Sequence, residues 1–369
     1  MKVAFVQWHD SIGGAEIMTA SLVRHLRQLD VDAGLLFVGV AGSQTKALRE
    51  AGVPVLALGL SRGRSVLRYT RTFAIAAAAL CPDAVVLPNT GFLAPVLRAH
   101  GYRGKIVAIE HGMVGVSESK GLRRPKMKLE WQFSSLLVDL QVAVSEDKLN
   151  QIQTSRARQK ALVYNGIELP EDCDGRDTEP EGRFTCATLS RVVDGKGIDV
   201  AIRAMSRLDD LPQVKLAVCG DGEHRETLEH LAAELGVSEK VEFVGWTTSS
   251  QAWTGANIGL SLSDALIEGF GMSAMEAMSY GLPVIATRNG ALPEFVKSGR
   301  NGFLVEPRDD LAVANAIRRY VADPGLWLRH SRCAVSTAEK FDIREAAVKY
   351  QALLTAVCSS GSAHETQGT

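Results

Sequence analysis

Residues 168–193 read ELPEDCDGRDTEPEGRFTCATLSRVV, and where this stretch divides decides the fold. Up to Arg183 it is acidic and carries Pro170, Gly175, Pro180 and Gly182, the composition of an exposed linker. From Phe184 it turns into an apolar, β-branched run that stops at Ser190 and Arg191, the pattern of a buried strand with a polar end. A chain that begins a strand after such a linker is beginning a second domain. The length of 369 residues agrees, because a single core rarely serves more than roughly 200.

Working outward, the same alternation lies on both sides. Upstream run KVAFVQW, AEIMTASLVRHLRQL, AGLLFVGV, SQTKALREAG, VPVLALGL, a helix ending near Leu80, DAVVLPNT, KIVAIEHG, LQVAVS and ALVYNG. Downstream come a helix through Leu208, VKLAVCGDG, RETLEHLAAELG, KVEFVGW, NIGLSLS, EGFGMSAMEAMSYG, LPVIATRNG and GFLVEP. Strands apolar throughout and alternating with helices indicate parallel sheets covered on both faces, so the fold class is α/β and doubly wound, twice over. The expected division is a first Rossmann-like domain over 1–167, a linker over 168–183 and a second over 184–340. A final helix, 341–358, could pack back on the first domain, and a small polar tail, 359–369, is expected to be disordered.

Composition narrows the function. The chain is 46% hydrophobic and 22% charged with a formal net charge of -1, which gives no electrostatic case for nucleic acid. Cys81, Cys173, Cys186, Cys219, Cys333 and Cys358 form no CxxC pair and read as reduced, mostly buried small hydrophobes. The N-terminus is too short for a signal-peptide core, and TFAIAAAAL before Cys81 is better taken as a buried helix than as a membrane span, so a cytoplasmic protein is expected.

In open α/β sheets ligands bind beyond the carboxyl ends of the strands. Those ends carry Gly13 and Gly14, His111, Arg191 and Lys196, Thr247, and Glu268 through Ser273. Arg191 and Lys196 flank the short turn VVDG and could meet one polyanion. Gly271, Met272 and Ser273 open a helix whose free amides favour an anion, and Gly13 and Gly14 do the same in the first half. Blander readings stand beside these: a Gly-Gly before a helix is usually a tight turn, spaced Arg and Lys are usually solvated, His111 can be structural, and Met272, Met275 and Met278 are core filling. Asp30-Val-Asp32 and Asp172-Cys-Asp174 do not end strands, so no metal is expected.

Taken in order, SRVVDGKG, GDGE, FVGW, EGFGMSAMEAMSYGLPVIAT and GALPEFVKSGRNGFLV resemble the second domain of the retaining glycosyltransferases of family 4, the glycosyltransferase group 1 type. YNGIE and the His-Gly at His111 extend the likeness into the first half. The resemblance implies a GT-B fold, two Rossmann-like doubly wound domains facing a central cleft, with acceptor bound by the first and nucleotide sugar by the second. The family's Glu-x7-Glu motif is matched by Glu268 and Glu276. It implies that Glu276 holds the ribose hydroxyls and Glu268 the donor sugar, while Phe270, Gly271, Met272 and Ser273 hold sugar and diphosphate through backbone groups. Arg191 and Lys196 would neutralise the leaving diphosphate, Gly14 beside Gly13 would approach a phosphate, His111 would lie by the donor sugar, and the backbone at Thr247 would meet the base. The implied reaction is metal-independent transfer of a hexose-type sugar with retention, a nucleotide sugar being the co-substrate and no further cofactor required. A UDP-sugar is favoured over GDP-mannose.

The acceptor stays open among a cell-envelope glycan, a lipid-linked sugar and a small metabolite. KGLRRPKMKLEWQFSSLLV, 120–138, is basic and then apolar and could rest on an anionic membrane at the inner face. Pro125 and Glu130 favour instead a solvated loop leading into an ordinary helix. Two other classes compete: a GT-B epimerase or phosphorylase, which would not need the paired glutamates or would bring a cofactor lysine, and a non-catalytic nucleotide-sugar-binding subunit.

Overall fold

Runs of Val, Ile, Leu and Ala form two all-parallel sheets. The computed structural model describes residues 1–7, 13–60, 66–88, 93–112, 130–171, 178, 180, 182–264 and 269–360. It divides into two compact units, Met1–Gly166 with Ile343–Thr369, and Ile167–Asp342.

In the first unit the order is β1 (Lys2–Gln7), α1 (Gly14–Gln28), β2 (Asp32–Phe37), α2 (Ser43–Glu50), β3 (Val55–Ala57), α3 (Val66–Leu80), β4 (Ala84–Pro88), α4 (Ala94–Ala99), β5 (Lys105–Glu110), β6 (Leu140–Ala143), α5 (Glu146–Gln151) and β7 (Gln159–Leu162). The strands pair in parallel in the order β3-β2-β1-β4-β5-β6-β7. Val3 through Val6 are all buried, although successive residues face opposite sides of the sheet, so both faces are covered.

The second unit runs β8 (Phe184–Leu189), α6 (Ile198–Ser206), β9 (Val214–Cys219), α7 (Arg225–Glu234), β10 (Val241–Gly245), α8 (Ser249–Thr254), β11 (Ile258–Ser261), α9 (Met272–Ser279), β12 (Val284–Thr287), α10 (Leu292–Phe295), β13 (Gly302–Val305), α11 (Asp310–Ala322) and α12 (Pro324–Ala338). Its parallel order is β10-β9-β8-β11-β12-β13. The core joins Leu216, Val218, Ile258 and Leu260 of the strands to Val313, Ile317 and Tyr320 of α11. Burying each such aliphatic side chain stabilises the fold by about 1.5–3 kcal/mol.

The last helix, α13 (Ile343–Ser359), lies in the first unit, where it packs on α1 and Gln351 Nε2 donates to the Leu29 carbonyl at 2.7 Å. Ser359, assigned from sequence to the tail, is its final residue. No helix among the described residues is long and apolar enough to cross a membrane.

One expectation is corrected. Cys81 is exposed, because it follows α3 with φ of 41° in the turn to β4, while Cys186 and Cys219 are buried strand residues. In the helical turn at 130–135 and just after it, Phe133, Leu136 and Leu137 are exposed while Ser134 and Ser135 are buried. Their hydroxyls donate to the Glu130 and Gln132 carbonyls of the same turn, and Ser135 Oγ also accepts from Arg156 N at 2.9 Å. Residues 120–129 of the basic stretch lie outside the described residues.

Candidate nucleotide-sugar site

The second sheet reverses its winding between β8 and β11, the place where doubly wound folds hold ligands. The loop after β8 carries Arg191 and Lys196. Its backbone is stitched to its neighbours: Ser190 N donates to Cys219 O at 3.1 Å, Val192 N to Asp221 O at 2.9 Å, and Asp264 N to Gly195 O at 2.8 Å. Glycines make this possible. A Cβ on Gly220 would collide with the Ser190 carbonyl and one on Gly222 with that of Val192, so the Gly-Asp-Gly turn serves close backbone packing. Gly197, with φ of 70°, starts α6 hard against the Leu262 carbonyl. With Val192 buried as the anchor, Arg191 is exposed and Lys196 half-buried at the strand ends.

After β11 the chain enters α9 through Gly271, whose φ of 93° side chains rarely adopt and whose missing side chain leaves room for Leu292 and Phe295. Phe270 is core, 5.4 Å from Phe295 and 5.8 Å from Phe341 between ring centroids. Its side chain fixes the helix entry, so any ligand contact here is through backbone. Met272 and Ser273 form the first turn, half-buried, while Met275 and Met278 are fully buried core. Glu268 lies outside the described residues.

Glu276 sits one turn inside α9 and is half-buried. Ser249 Oγ, from the first turn of α8, donates to its Oε2 at 2.7 Å. Burial pushes its pKa up, and the bonds from Ser249 and Trp253 pull it back toward the ionised form. Ser249 had no signal in the sequence, since its partner is a carboxylate in another helix. Thr247 lies in the turn before α8, where its Oγ1 donates to Gln251 Oε1 at 2.9 Å.

The first unit places His111 directly after β5, buried, its pKa lowered by burial to about 4, so its ring is neutral at pH 7. Before it, Glu110 is buried too and accepts from Gln141 Nε2 at 2.7 Å and from the Trp131 side chain. Burial raises the Glu110 pKa, against those bonds and the nearby Lys148. Gly13 is the N-cap of α1 and Gly14 its first residue, and with φ of -116° Gly13 is in ordinary extended backbone. Asp30 and Asp32 stand at the amino end of β2, far along the strand from these positions, and Asp172 and Asp174 lie outside the described residues. No cluster of metal-ligating side chains occurs among the described residues.

The fold is doubly wound in both units, and the strand ends of the second carry two cations, a helix start and a carboxylate. The chain belongs to the group 1, family 4 glycosyltransferases: the family described as glycosyl transferases group 1 matches residues 174–338, and Glycosyltransferase Family 4 matches 12–170. A lipopolysaccharide core biosynthesis glycosyltransferase, LpsE of Rhizobium meliloti, is 35% identical over 142 residues, 38% of this chain and 41% of that protein. A GDP-mannose-dependent alpha-(1-6)-phosphatidylinositol monomannoside mannosyltransferase of Mycolicibacterium smegmatis is 35% identical over 148 residues, 37% and 38% respectively. These alignments thus span less than half the length of those relatives. Among solved structures, Anabaena Alr3699/HepE in complex with UDP and glucose superimposes with a TM-score of 0.82 at 22% identity, covering 96% of this chain and 99% of that one, which shows the GT-B fold.

Proposed function

We propose that the protein is a retaining glycosyltransferase that moves a hexose-type sugar from a nucleotide sugar, a UDP-sugar before GDP-mannose, to an acceptor hydroxyl. One observation carries the reading: Arg191 and Lys196 stand at the carboxyl end of β8, while the adjacent strand β11 leads to the start of α9, with Glu276 one turn inside. Breaking an anomeric C–O bond leaves negative charge on the departing diphosphate. Fixed cations and helix amides stabilise that charge as it develops, and a metal is then dispensable. Glu276 accepts hydrogen bonds from the ribose hydroxyls, Glu268 from those of the sugar, and the backbone of Phe270, Gly271, Met272 and Ser273 follows the diphosphate. In the first domain, the strand-end groups that would take part are Gly13 and Gly14 through their backbone and His111 through a neutral ring.

UDP is favoured by the fold relative solved with UDP and glucose, and an envelope acceptor by the relatives named for lipopolysaccharide core and phosphatidylinositol mannoside. The test is a panel of UDP-, GDP-, ADP- and dTDP-sugars read by thermal shift and slow donor hydrolysis, since a ligand of the native state raises the melting point by mass action. One donor should stand out, with turnover unchanged in excess EDTA and the product anomer matching the donor by NMR. A panel without any shift overturns the reading.

A second reading concerns the acceptor side. Exposed Phe133, Leu136 and Leu137 follow a basic stretch, which favours contact of 120–138 with an anionic membrane. Sedimentation with anionic vesicles at low salt checks it, and an unbound protein ends it.

A further inference from the structure

Arg308 stands in the loop after β13 with φ of 66°, a left-handed backbone that L side chains rarely adopt. A fold that keeps a branched-off arginine in that conformation gives up stability there, and such outliers gather where a side chain has a task. The contact that Arg308 makes does not repay the strain as stability. Its Nη2 donates to Asp264 Oδ2 at 2.8 Å, but with side chains 79% and 29% exposed the pair is solvated and adds little to folding.

The pair lies at the strand ends of the candidate site. In the order β8-β11-β12-β13 the guanidinium reaches from the loop after β13 past β12 to the residue that follows β11, toward the reversal between β11 and β8. Asp264 is joined to the loop after β8, its N–H donating to the Gly195 carbonyl at 2.8 Å, and Lys196 is the next residue. Gly197 tightens the same contact, leaving no room for a Cβ against the Leu262 carbonyl. Between them the Ser263 carbonyl accepts from Thr287 Oγ1 at 2.8 Å and from Asn289 Nδ2 at 3.1 Å. The backbone of Asp264 is thus fixed beside that of Lys196, and its carboxylate stays in that neighbourhood. Asp194 and Asp199 are close enough for their charges to act on Arg308 as well. Carboxylates around a cation meant for a diphosphate work against it. Within a Debye length, about 8 Å at physiological salt, each repels the anion and competes for the ammonium.

We propose that Arg308 is a positioning residue for the donor: by holding the Asp264 carboxylate it keeps that charge from Lys196 and from the incoming diphosphate. The proposal rests on the nucleotide-sugar reading above, which puts the diphosphate at Arg191 and Lys196. The left-handed backbone is then the cost of aiming a guanidinium across β12.

The experiment is calorimetric titration of inorganic pyrophosphate, UDP and GDP into the full chain as wild type, R308G and R308G/D264N, at low and at high salt, with a thermal melt of each. Glycine takes the left-handed conformation without strain, so R308G should melt no lower than wild type, and a loss of binding is then not a loss of fold. Uncovering the Asp264 charge should weaken pyrophosphate, and whichever nucleotide the wild type binds, by about three- to five-fold at low salt and by less at high salt. D264N removes the uncovered charge and should bring the double variant back to within about two-fold of wild type, a recovery that a purely structural role would not give. Unchanged pyrophosphate affinity in R308G overturns the proposal. A loss that D264N fails to restore overturns it too, because Arg308 would then act on the anion directly. A wild type that binds none of the three ligands sinks the functional reading, and this inference with it.

Discussion

The two units share one architecture and use it differently. In the second, the strand-end loops are positioned by backbone: Gly197, Gly220 and Gly222 each let one main chain lie against another's carbonyl, and hydrogen bonds between loops lock the result. In the first, what is described of the strand ends is positioned by buried side chains, Glu110 bonded to Gln141 and Trp131, with neutral His111 beside it. A site made of backbone is rigid and insensitive to pH, while one made of buried titratable groups answers to it.

The largest effect should come from putting a methyl group on each kind of glycine. Gly220→Ala combines φ of 130° with a collision at the Ser190 carbonyl, and should cost about 4 kcal/mol or more, enough to unfold the second unit on warming to ordinary assay temperatures. Gly13→Ala meets only the mobile end of Glu16 from extended backbone and should cost no more than about 1 kcal/mol. Thermal melts of the two variants decide it. Equal melting points would mean that the contrast between the units is not one of backbone packing.

Next in size is a kinetic loss. Arg191 is exposed and holds up no core, so Arg191→Ala should fold normally. If its charge acts on the leaving diphosphate, kcat should fall by about 10²–10³-fold, the usual consequence of removing one preorganised donor from a developing anion. Affinity for the free nucleoside diphosphate should fall by less. Equal losses would make Arg191 a binding residue only.

How far the sequence could be read follows the same division. Glycines, apolar strands and helix starts have local signatures, so the alternation, Gly271 opening α9, and Arg191 and Lys196 at one strand end were all legible. Arg308 and Ser249 were not, because an ion pair between two strand ends and a hydrogen bond between α8 and α9 depend on tertiary register. Glu110 was passed over for His111 next to it: its partners, Gln141 and Trp131, come from other segments and leave no pattern along the chain. The exposure of Phe133, Leu136 and Leu137 escaped for a related reason, as it depends on which segments pack against the turn.

His111 supplies a pH test of the first unit. Its pKa falls from 6.5 to about 4 in the fold because burial penalises the charged ring. The unfolded chain therefore takes up a proton between those values that the folded chain refuses. Stability is fully present above pH 6.5 and is lost as pH falls toward 4, by about 3 kcal/mol in all. Denaturant melts from pH 7 to pH 4 should show a steeper acid loss in wild type than in His111→Gln. Parallel curves would mean that His111 is hydrated and titrates normally.

The smallest effect probes Glu276, whose carboxylate accepts from the Ser249 hydroxyl. Burial raises the Glu276 pKa, and the Ser249 hydroxyl opposes that by donating to the ionised form, so Ser249→Ala should raise it further. Only the carboxylate accepts from both ribose hydroxyls. Nucleotide affinity of the variant should therefore begin to fall at a higher pH than in wild type, with a loss of about 1 kcal/mol, or about five-fold, at neutral pH. Stability should move the opposite way. A carboxyl with a raised folded pKa is least costly when protonated, so its contribution is present at low pH and lost as pH rises through the folded value. Acid should thus favour the empty fold at Glu276 while weakening its grip on ribose, whereas at His111 acid disfavours the fold. A variant whose nucleotide affinity follows the wild-type pH curve would show that Ser249 does not set the Glu276 titration.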